Sequence, residues 1–272
     1  MEFSNRTAFI TGASRGIGRA IALKLSALGA NVVIAAKSAK PHPKLPGTIF
    51  SVAEEIQQQG GQALALELDV RKEIAVKIAL EQAAQHFGGI DIIINNAGAI
   101  SLTGVEQTSP KRYDLMHSVN HRAVYTLAHY GLPYLKQSSH AHILSLSPPL
   151  NFADQWVKDY APYTLSKYGM TILSQGMALE FAQYQIAVNT LWPKTMIATA
   201  AIEHAVGNEA MLQHCRTPDI MADAAAAILS DQAIAGSGLS LIDEDVLRLQ
   251  GIEDFAKYAV NPQQPLFDDL FI

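Results

Sequence analysis

The sequence predicts a single Rossmann-type α/β domain, a doubly wound parallel sheet of about seven strands with helices on both faces. Short apolar runs alternate along the chain with longer segments of helical periodicity, as in such a sheet. Each run is continuously apolar because strands of a parallel sheet are buried on both faces. The predicted strands are residues 8–10, 32–36, 63–68, 90–94, 143–146, 187–191 and 239–242.

The length of the chain suits one domain. Its 272 residues, of which 49% are hydrophobic, are enough to bury a sizeable core. The last predicted strand leads to Asp243, so we expect residues 1–243 to form the domain. Residues 244–272, rich in Leu, Phe and Pro, are then a tail that packs on the domain or on a neighbouring subunit.

Composition excludes several classes of function. The net charge is −5 and no basic stretch stands out, which argues against nucleic-acid binding. A single cysteine, Cys215, allows no disulfide within the chain and indicates a reducing compartment. The sequence has no secretory leader pattern and no apolar run of membrane-spanning length. We therefore expect a cytoplasmic protein without a membrane span.

The first predicted strand opens into a glycine-rich turn followed by an amphipathic helix. Glycine permits a tight exit from the strand, a close approach of backbone to pyrophosphate, and close packing of the helix on the sheet. The N-terminus of that helix favours phosphate through its free N–H groups and its dipole. The turn thus predicts a dinucleotide site. Its cofactor-binding residues are Gly12, Ser14, Arg15, Gly16, Ile17 and Gly18.

The end of the second strand favours NADP(H) over NAD(H). An acidic residue there usually binds the adenosine ribose hydroxyls, but this chain has Ala36 followed by Lys37. A cation suits a 2′-phosphate, and Arg15 can add a second one. The alternative is that both are solvated loop charges. A loop with three prolines, residues 38–48, comes next, and Ser51 with Glu54 suggests a capping box at the following helix.

Two further strand ends carry cofactor-site candidates. Asp69 and Val70 follow the third strand, where this fold often contacts the adenine. The fourth strand leads into a small polar turn that can brace the sheet and line the cofactor. Its candidate residues are Asn96, Ala97 and Gly98. A helix then begins with Ser109 as cap and Pro110 at its first position, and it is expected to run unbroken to about residue 134.

Four motifs together resemble the short-chain dehydrogenase/reductase family, over essentially the whole chain. They are the glycine turn at 11–18, the turn at 95–98, Asn120, and a Tyr–x–x–x–Lys pair formed by Tyr163 and Lys167. The proline loop and the segments 146–149 and 191–195 resemble one branch of that family in particular.

The resemblance implies hydride transfer between NADP(H) and a carbonyl or alcohol. It assigns Tyr163 as proton donor and acceptor, and Lys167 to tuning Tyr163 and binding the nicotinamide ribose. A free tyrosine titrates near 10, and a lysine one helical turn away is expected to lower that pKa. Asn120 would hold a water that links Lys167 to solvent. His117 and His121 have helical i, i+4 spacing but no third ligand nearby, so we predict no metal.

The chain departs from the family pattern at two places. The family places a catalytic serine where this chain has Pro148, so Ser147, one residue earlier, is our candidate; otherwise a backbone N–H must supply the contact. After the sixth strand the usual proline–glycine is Pro193–Lys194, and Pro193 and Thr195 are candidate cofactor residues, with Thr199 an alternative to Thr195.

The mixed apolar segment 196–215, with Trp156 and Trp192, suggests a pocket for a small hydrophobic carbonyl or alcohol. By resemblance we expect a homodimer or homotetramer. Two alternatives stay open: an NADP(H)-binding regulatory or scaffold protein with weak or no turnover, and a reductase of a conjugated double bond.

Overall fold

The computed structural model describes residues 2–43, 45–200, 202, 209–230 and 236–272. Its strands are β1 (Thr7–Thr11), β2 (Asn31–Ala36), β3 (Gln62–Glu67), β4 (Ile92–Asn95), β5 (His142–Leu146), β6 (Ala187–Trp192) and β7 (Ser240–Ile242). Its helices are α1 (Gly16–Ala27), α2 (Ile49–Gln58), α3 (Glu73–Phe87), α4 (Pro110–Val119), α5 (His121–Leu135), α6 (Asp154–Phe181), α7 (Asp219–Leu229) and α8 (Asp243–Leu249). Short 3-10 turns cover Ala182–Tyr184, Glu209–His214 and Ala256–Tyr258.

All seven strands form one parallel sheet in the order β3-β2-β1-β4-β5-β6-β7. The predicted doubly wound α/β fold is therefore confirmed. The chain builds outward from β1 in one direction through β2 and β3, and in the other through β4 to β7. The strand order reverses between β1 and β4, which is where such sheets bind their ligands at the carboxyl ends of the strands.

Two apolar layers cover the sheet. One layer packs α1, α2, α7 and α8 against one face, with fully buried side chains such as Ile21 and Met221. The other packs α3, α5 and α6 against the opposite face, with Leu80, Leu127 and Phe181. None of the helices among the described residues combines the length and apolar composition needed to cross a bilayer.

Predicted strand β3 is less buried than its apolar sequence suggests. β3 lies at the edge of the sheet, so its four central residues are only half-buried and its two end residues are exposed. An edge strand has a neighbour on one side only, and part of its surface stays open.

The start of one helix differs from the sequence prediction, and the start of another agrees with it. The N-cap of α2 is Thr48, whose hydroxyl accepts from the Ser51 amide at 3.1 Å, while the Ser51 hydroxyl accepts from the Thr48 amide at 2.9 Å. The capping box therefore pairs Thr48 with Ser51, and the prediction that Ser51 itself was the cap, with Glu54, is wrong. Ser109 does cap α4, with Pro110 at its first position, as predicted.

Two helices are interrupted near the predicted catalytic residues. The expected single helix from Pro110 breaks at Asn120, whose backbone angles are φ −81° and ψ −93°, so that α4 and α5 are separate. Helix α6 changes direction at Tyr160, where φ is −133°, two residues before Pro162. Proline lacks the amide that continues a helix, which accounts for the break just ahead of it.

Candidate active site

The glycine turn has the geometry of a phosphate cradle. Gly12 and Gly16 have φ angles of +67° and +55°, in the left-handed region that favours glycine. Helix α1 begins at Gly16, its N-cap residue Arg15 makes no side-chain cap, and its first turn holds no acidic residue. The first amides of α1 therefore lack a side-chain acceptor and are suited to an anion.

The turn after β4 clamps the glycine turn across the point where the strand order reverses. The Asn96 side-chain amide donates to the carbonyls of Thr11 at 2.8 Å and Gly12 at 3.1 Å. The backbone amides of Asn96 and Ala97 donate to the Thr11 hydroxyl, both at 3.1 Å. A Cβ added at Gly18 would lie 2.4 Å from Asn96 Nδ2. The side chain of Asn96 thus fixes the shape of the cradle.

The proline loop lies directly on the glycine turn. Arg15 Nε donates to the Pro46 carbonyl and its Nη2 to the Gly47 carbonyl, both at 3.0 Å. A Cβ on Gly47 would come within 2.4 Å of the Ser14 carbonyl oxygen. Arg15, predicted as a second cation for a 2′-phosphate, is used here to hold the loop in place.

The end of β2 carries a cation and no acidic side chain. Ala36 is buried and Lys37 is exposed. On the neighbouring strand end, Arg71 binds the Asp69 carboxylate at 2.5 Å. Hydrogen bonds from Arg71, with a smaller effect of the Lys37 charge, lower the pKa of Asp69 to about 2. Val70 is buried beside it.

The segment after β6 runs beside the cradle. Thr195 is buried, and its hydroxyl has no partner among the described residues. A Cβ on Gly16 would lie 3.3 Å from the Thr199 methyl group, so this segment faces the glycine turn. Pro193 is also buried. The two left-handed glycines, the uncapped start of α1 and the unpaired Thr195 hydroxyl fit a dinucleotide with its phosphates at α1.

Tyr163 and Lys167 lie on α6 and are 6% and 7% exposed. The Lys167 ammonium donates to the Leu146 carbonyl at 2.6 Å and lies 4.8 Å from the centre of the Trp192 ring. Burial lowers the pKa of Lys167 to about 7. The pair therefore occupies a water-poor wall at the carboxyl end of β5.

The expectation that Lys167 lowers the pKa of Tyr163 is not met in this arrangement. Burial raises the pKa of the Tyr163 phenol above its ordinary value, and the Asp269 carboxylate raises it further. Partial burial also raises the pKa of Asp269, to about 7, although the Lys167 charge acts in the opposite direction. A phenolate at Tyr163 thus needs positive charge beyond that of Lys167.

The Ser147 hydroxyl is buried and hydrogen-bonded to groups of helix α6. Ser147 is fully buried, donates to the Lys167 carbonyl at 2.8 Å, and lies 2.7 Å from the Thr171 hydroxyl. Thr171 in turn donates to the Pro148 carbonyl at 2.7 Å. These bonds anchor the end of β5 to α6, so the candidate serine serves a structural contact in this arrangement.

Asn120 joins three parts of the site through its side chain. Its Oδ1 accepts from the Ala99 amide at 2.9 Å, and its Nδ2 donates to the Ala99 carbonyl at 3.0 Å and to the Ser166 hydroxyl at 2.8 Å. Its backbone carbonyl, at the break between α4 and α5, accepts a long bond of 3.4 Å from the Val124 amide. That carbonyl is the group of Asn120 most available to a water.

The two histidines of this region pack against each other. The rings of His117 and His121 meet edge to face, with their centres 4.9 Å apart. Within the described residues, no three His, Cys, Asp or Glu side chains come together as a group that could hold a metal ion.

An aromatic residue of the tail completes the wall around Tyr163. The ring of Phe271 stacks on Tyr163 with 6.1 Å between centroids. Phe271 is 1% exposed. The sequence predicted a tail that packs on the domain or on a neighbouring subunit, but no local pattern indicated the contact of Phe271 with Tyr163, because it depends on how the tail folds over the domain.

The profile of the short chain dehydrogenase family matches residues 6–209. The chain belongs to the NAD(P)-dependent short-chain dehydrogenase/reductase family. Hydroxysteroid dehydrogenase-like protein 2 of Xenopus tropicalis is 53% identical over 98% of this chain. This relative confirms the predicted branch of the family. The chain spans 63% of that relative's length.

Solved structures of the family show the same fold. A protein of Xanthomonas campestris assigned as a dehydrogenase is 49% identical, with a TM-score of 0.95 over 100% of this chain and 99% of its own. A metagenomic short-chain oxidoreductase in complex with NADP is 27% identical over 89% of this chain and 98% of its own, with a TM-score of 0.71. Carveol dehydrogenase of Mycobacterium avium, in complex with NAD, shares the fold at 20% identity and a TM-score of 0.75 over 89% of this chain and 96% of its own.

Proposed function

We propose that this chain is an NADP(H)-dependent oxidoreductase that interconverts a hydrophobic ketone or aldehyde with an alcohol. The observation that carries the proposal is the burial of Tyr163 and Lys167 together at the carboxyl edge of the sheet that holds the glycine cradle. A buried phenol can pass a proton to a developing alkoxide without competition from water.

NADP(H) is the proposed cofactor because Lys37 stands where an acidic residue would bind an unmodified ribose. Both NADP and NAD occur in complexes of structural relatives, so the preference rests on this chain's own residues. The proposed cofactor residues are the glycine turn (Gly12, Ser14, Arg15, Gly16, Ile17 and Gly18), Lys37, Asp69, Val70, Asn96, Ala97, Gly98, Tyr163, Lys167, Pro193 and Thr195.

The nicotinamide, when bound, supplies or accepts the hydride. Tyr163 gives its hydroxyl proton to the substrate oxygen in reduction and takes one in oxidation. Lys167 provides a positive charge that favours the phenolate, and a bound oxidised nicotinamide adds another. In this proposal the backbone carbonyl of Asn120, which accepts one long bond from the Val124 amide, holds the water that returns the proton.

The usual serine contact to the substrate oxygen is missing at its expected place. Ser147 is bonded to the interior and Pro148 has no hydroxyl, so a backbone N–H or the Tyr163 hydroxyl itself has to stabilise the oxygen. The same observation favours the second candidate, an NADP(H)-binding regulatory or scaffold protein with weak turnover.

The substrate is proposed to be small and apolar, since the residues around Tyr163 are aromatic and aliphatic. The name of the vertebrate relative points to hydroxysteroids, a class that we test rather than assume. We further propose a homodimer or homotetramer in the cytoplasm, with a catalytic domain at residues 1–243 and a tail at 244–272.

The first experiment follows NADPH oxidation with a panel of hydrophobic aldehydes, ketones, enones and oxosteroids. Tyr163→Phe is expected to lose activity on the order of 10²- to 10⁴-fold while still binding NADPH, because only the transferable proton is removed. NADH is run in parallel, and a lower KM for NADPH is expected.

The matched control is Tyr160→Phe, which removes a hydroxyl three residues earlier on the same helix. Full activity in Tyr163→Phe would refute the proposed role of the phenol. Tight NADPH binding without turnover on any substrate would favour the regulatory alternative, and reduction of enones alone would favour a double-bond reductase.

A further inference from the structure

The Phe271 ring sits at the centre of an aromatic cluster in front of the proposed proton donor. Its centroid lies 5.3 Å from that of Tyr168, 5.5 Å from Trp156, and 6.1 Å from both Tyr163 and Trp192. The planes of Phe271 and Tyr163 are 27° apart, so the two rings face each other. The apolar space against the face of Tyr163 is therefore filled by the chain itself.

The tail segment, residues 267–272, is fixed alongside the chain that follows β6. The Met196 amide donates to the Phe267 carbonyl at 2.9 Å, and the Asp269 amide donates to the Lys194 carbonyl at 3.1 Å. The tail segment thus lies beside the stretch that carries Thr195, on the substrate side of the site.

Two side chains hold the end of this segment in place. Trp192 Nε1 donates to the Leu270 carbonyl at 2.8 Å, and Asn151 Nδ2 donates to the Phe271 carbonyl at 3.1 Å. Trp192 is the last residue of β6, and Asn151 lies in the loop between β5 and α6. The position of the Phe271 ring is consequently determined by hydrogen bonds as well as by ring packing.

The backbone of Phe271 is strained. Its φ angle is +73°, in the left-handed region that a bulky residue rarely adopts. Such a conformation persists only where its surroundings impose it, and it often marks a residue whose position matters. The residue with the strained backbone, Phe271, is thus the one whose ring covers Tyr163.

We propose that Phe271 is a specificity-determining residue that limits the size of the substrate. This inference rests on the proposed function, in which the substrate oxygen must come within hydrogen-bond reach of Tyr163. A slim group such as an unbranched alkyl chain can pass beside the Phe271 ring. A fused-ring ketone needs the volume that this ring occupies, so the wild-type chain discriminates against it.

The test compares the kcat/KM of a fused-ring ketone with that of a short linear aldehyde, with NADPH as cofactor. Phe271→Ala is expected to raise the ratio of the two values at least tenfold, because it opens apolar volume next to Tyr163. Phe267→Ala is the matched control: it removes the same ring from the same segment, where it stacks on His214 at 4.3 Å and is 38% exposed. That control is expected to leave the ratio unchanged.

A second readout does not depend on turnover. The chain has two tryptophans, and both contact Phe271. Acrylamide quenching of their fluorescence is expected to increase about twofold in Phe271→Ala, because the ring shields them, and to stay unchanged in Phe267→Ala.

The outcomes separate this inference from the proposed function. The role of Phe271 is overturned if Phe271→Ala leaves the ratio of kcat/KM values unchanged while turnover still requires Tyr163. It is also overturned if the wild-type chain prefers the fused-ring ketone. Loss of the proposed function appears instead as no Tyr163-dependent turnover in any variant. In that case acrylamide quenching still tests the position of Phe271. Unchanged quenching in Phe271→Ala would show that the ring does not fill the apolar space against Tyr163.

Discussion

Asp269 lies in the electrostatic environment of Tyr163 and Lys167, and it comes from the tail. Its charge raises the pKa of both residues, which favours the ammonium of Lys167 and disfavours the phenolate of Tyr163. Burial raises its own pKa to about 7. A buried carboxylate with a raised pKa destabilises the folded state once the pH exceeds its unfolded value.

Asp269→Asn is expected to increase the free energy of unfolding more at pH 9 than at pH 5. At pH 5 the carboxyl is protonated in the folded protein but ionised in the unfolded chain, so only part of the cost is present. At pH 9 it is ionised, and Lys167, with a pKa of about 7, is neutral and offers little compensation. The expected gain at pH 9 is roughly 1–2 kcal/mol, less than the full shift implies because solvent reaches part of the side chain.

Urea unfolding at the two pH values measures this difference. Asp268→Asn is the control, since Asp268 is the exposed neighbour. An equal change at pH 5 and pH 9 would mean that the effect comes from packing rather than from the charge of Asp269.

At the scale of the elements, the site depends on how closely the turn after β1 meets the turn after β4. Gly18, in the first turn of α1, has no room for a side chain: an added Cβ would lie 2.4 Å from Asn96 Nδ2 and 2.7 Å from the Gly12 carbonyl oxygen. Since one of these atoms is backbone, the cradle itself would have to shift.

Gly18→Ala is expected to weaken NADPH binding tenfold or more and to lower the free energy of unfolding by about 1–3 kcal/mol, because it forces the two turns apart. Titration calorimetry and urea unfolding measure the two effects. Gly89→Ala is the control, because a Cβ there meets nothing within 4 Å and its φ angle is not left-handed. Unaltered NADPH affinity in Gly18→Ala would place the phosphates away from this turn.

At the scale of the whole molecule, an apolar stripe on α6 remains exposed. Leu165, Ile172 and Leu179 recur every seven residues and are 55%, 57% and 84% exposed. Residues seven apart lie on the same face of a helix, so these side chains form one continuous surface. Tyr125 of α5 is also 55% exposed. Exposed apolar patches of this kind often mark contacts between subunits.

Ile172→Arg is expected to convert a dimer or tetramer into smaller species, since it places an unpaired charge in the middle of the stripe. Sedimentation velocity over a range of concentrations measures the change. Ile74→Arg is the control, because Ile74 is 64% exposed on a different helix, α3. The same assembly in wild type and Ile172→Arg would exclude this face as the interface.

Local patterns were enough to predict the strands and the position of the glycine turn. Each central strand is buried on both faces, so its sequence is a continuous apolar run. The left-handed φ angles at Gly12 and Gly16 favour glycine at these positions. Helix boundaries were predicted less well. The break at Asn120 and the cap at Thr48 each depend on which of several possible hydrogen bonds forms. The local sequence does not show which one that is.

The sequence by itself determined the family, the order of the elements and the identity of the chemical groups, because these depend on residue type and local periodicity. Only the tertiary structure decided what those groups contact. It turned the Ser147 hydroxyl toward α6, engaged Arg15 with the proline loop, and placed Phe271 on Tyr163. These contacts join residues far apart in the chain. They follow from the packing of whole elements, so no single stretch of sequence predicts them.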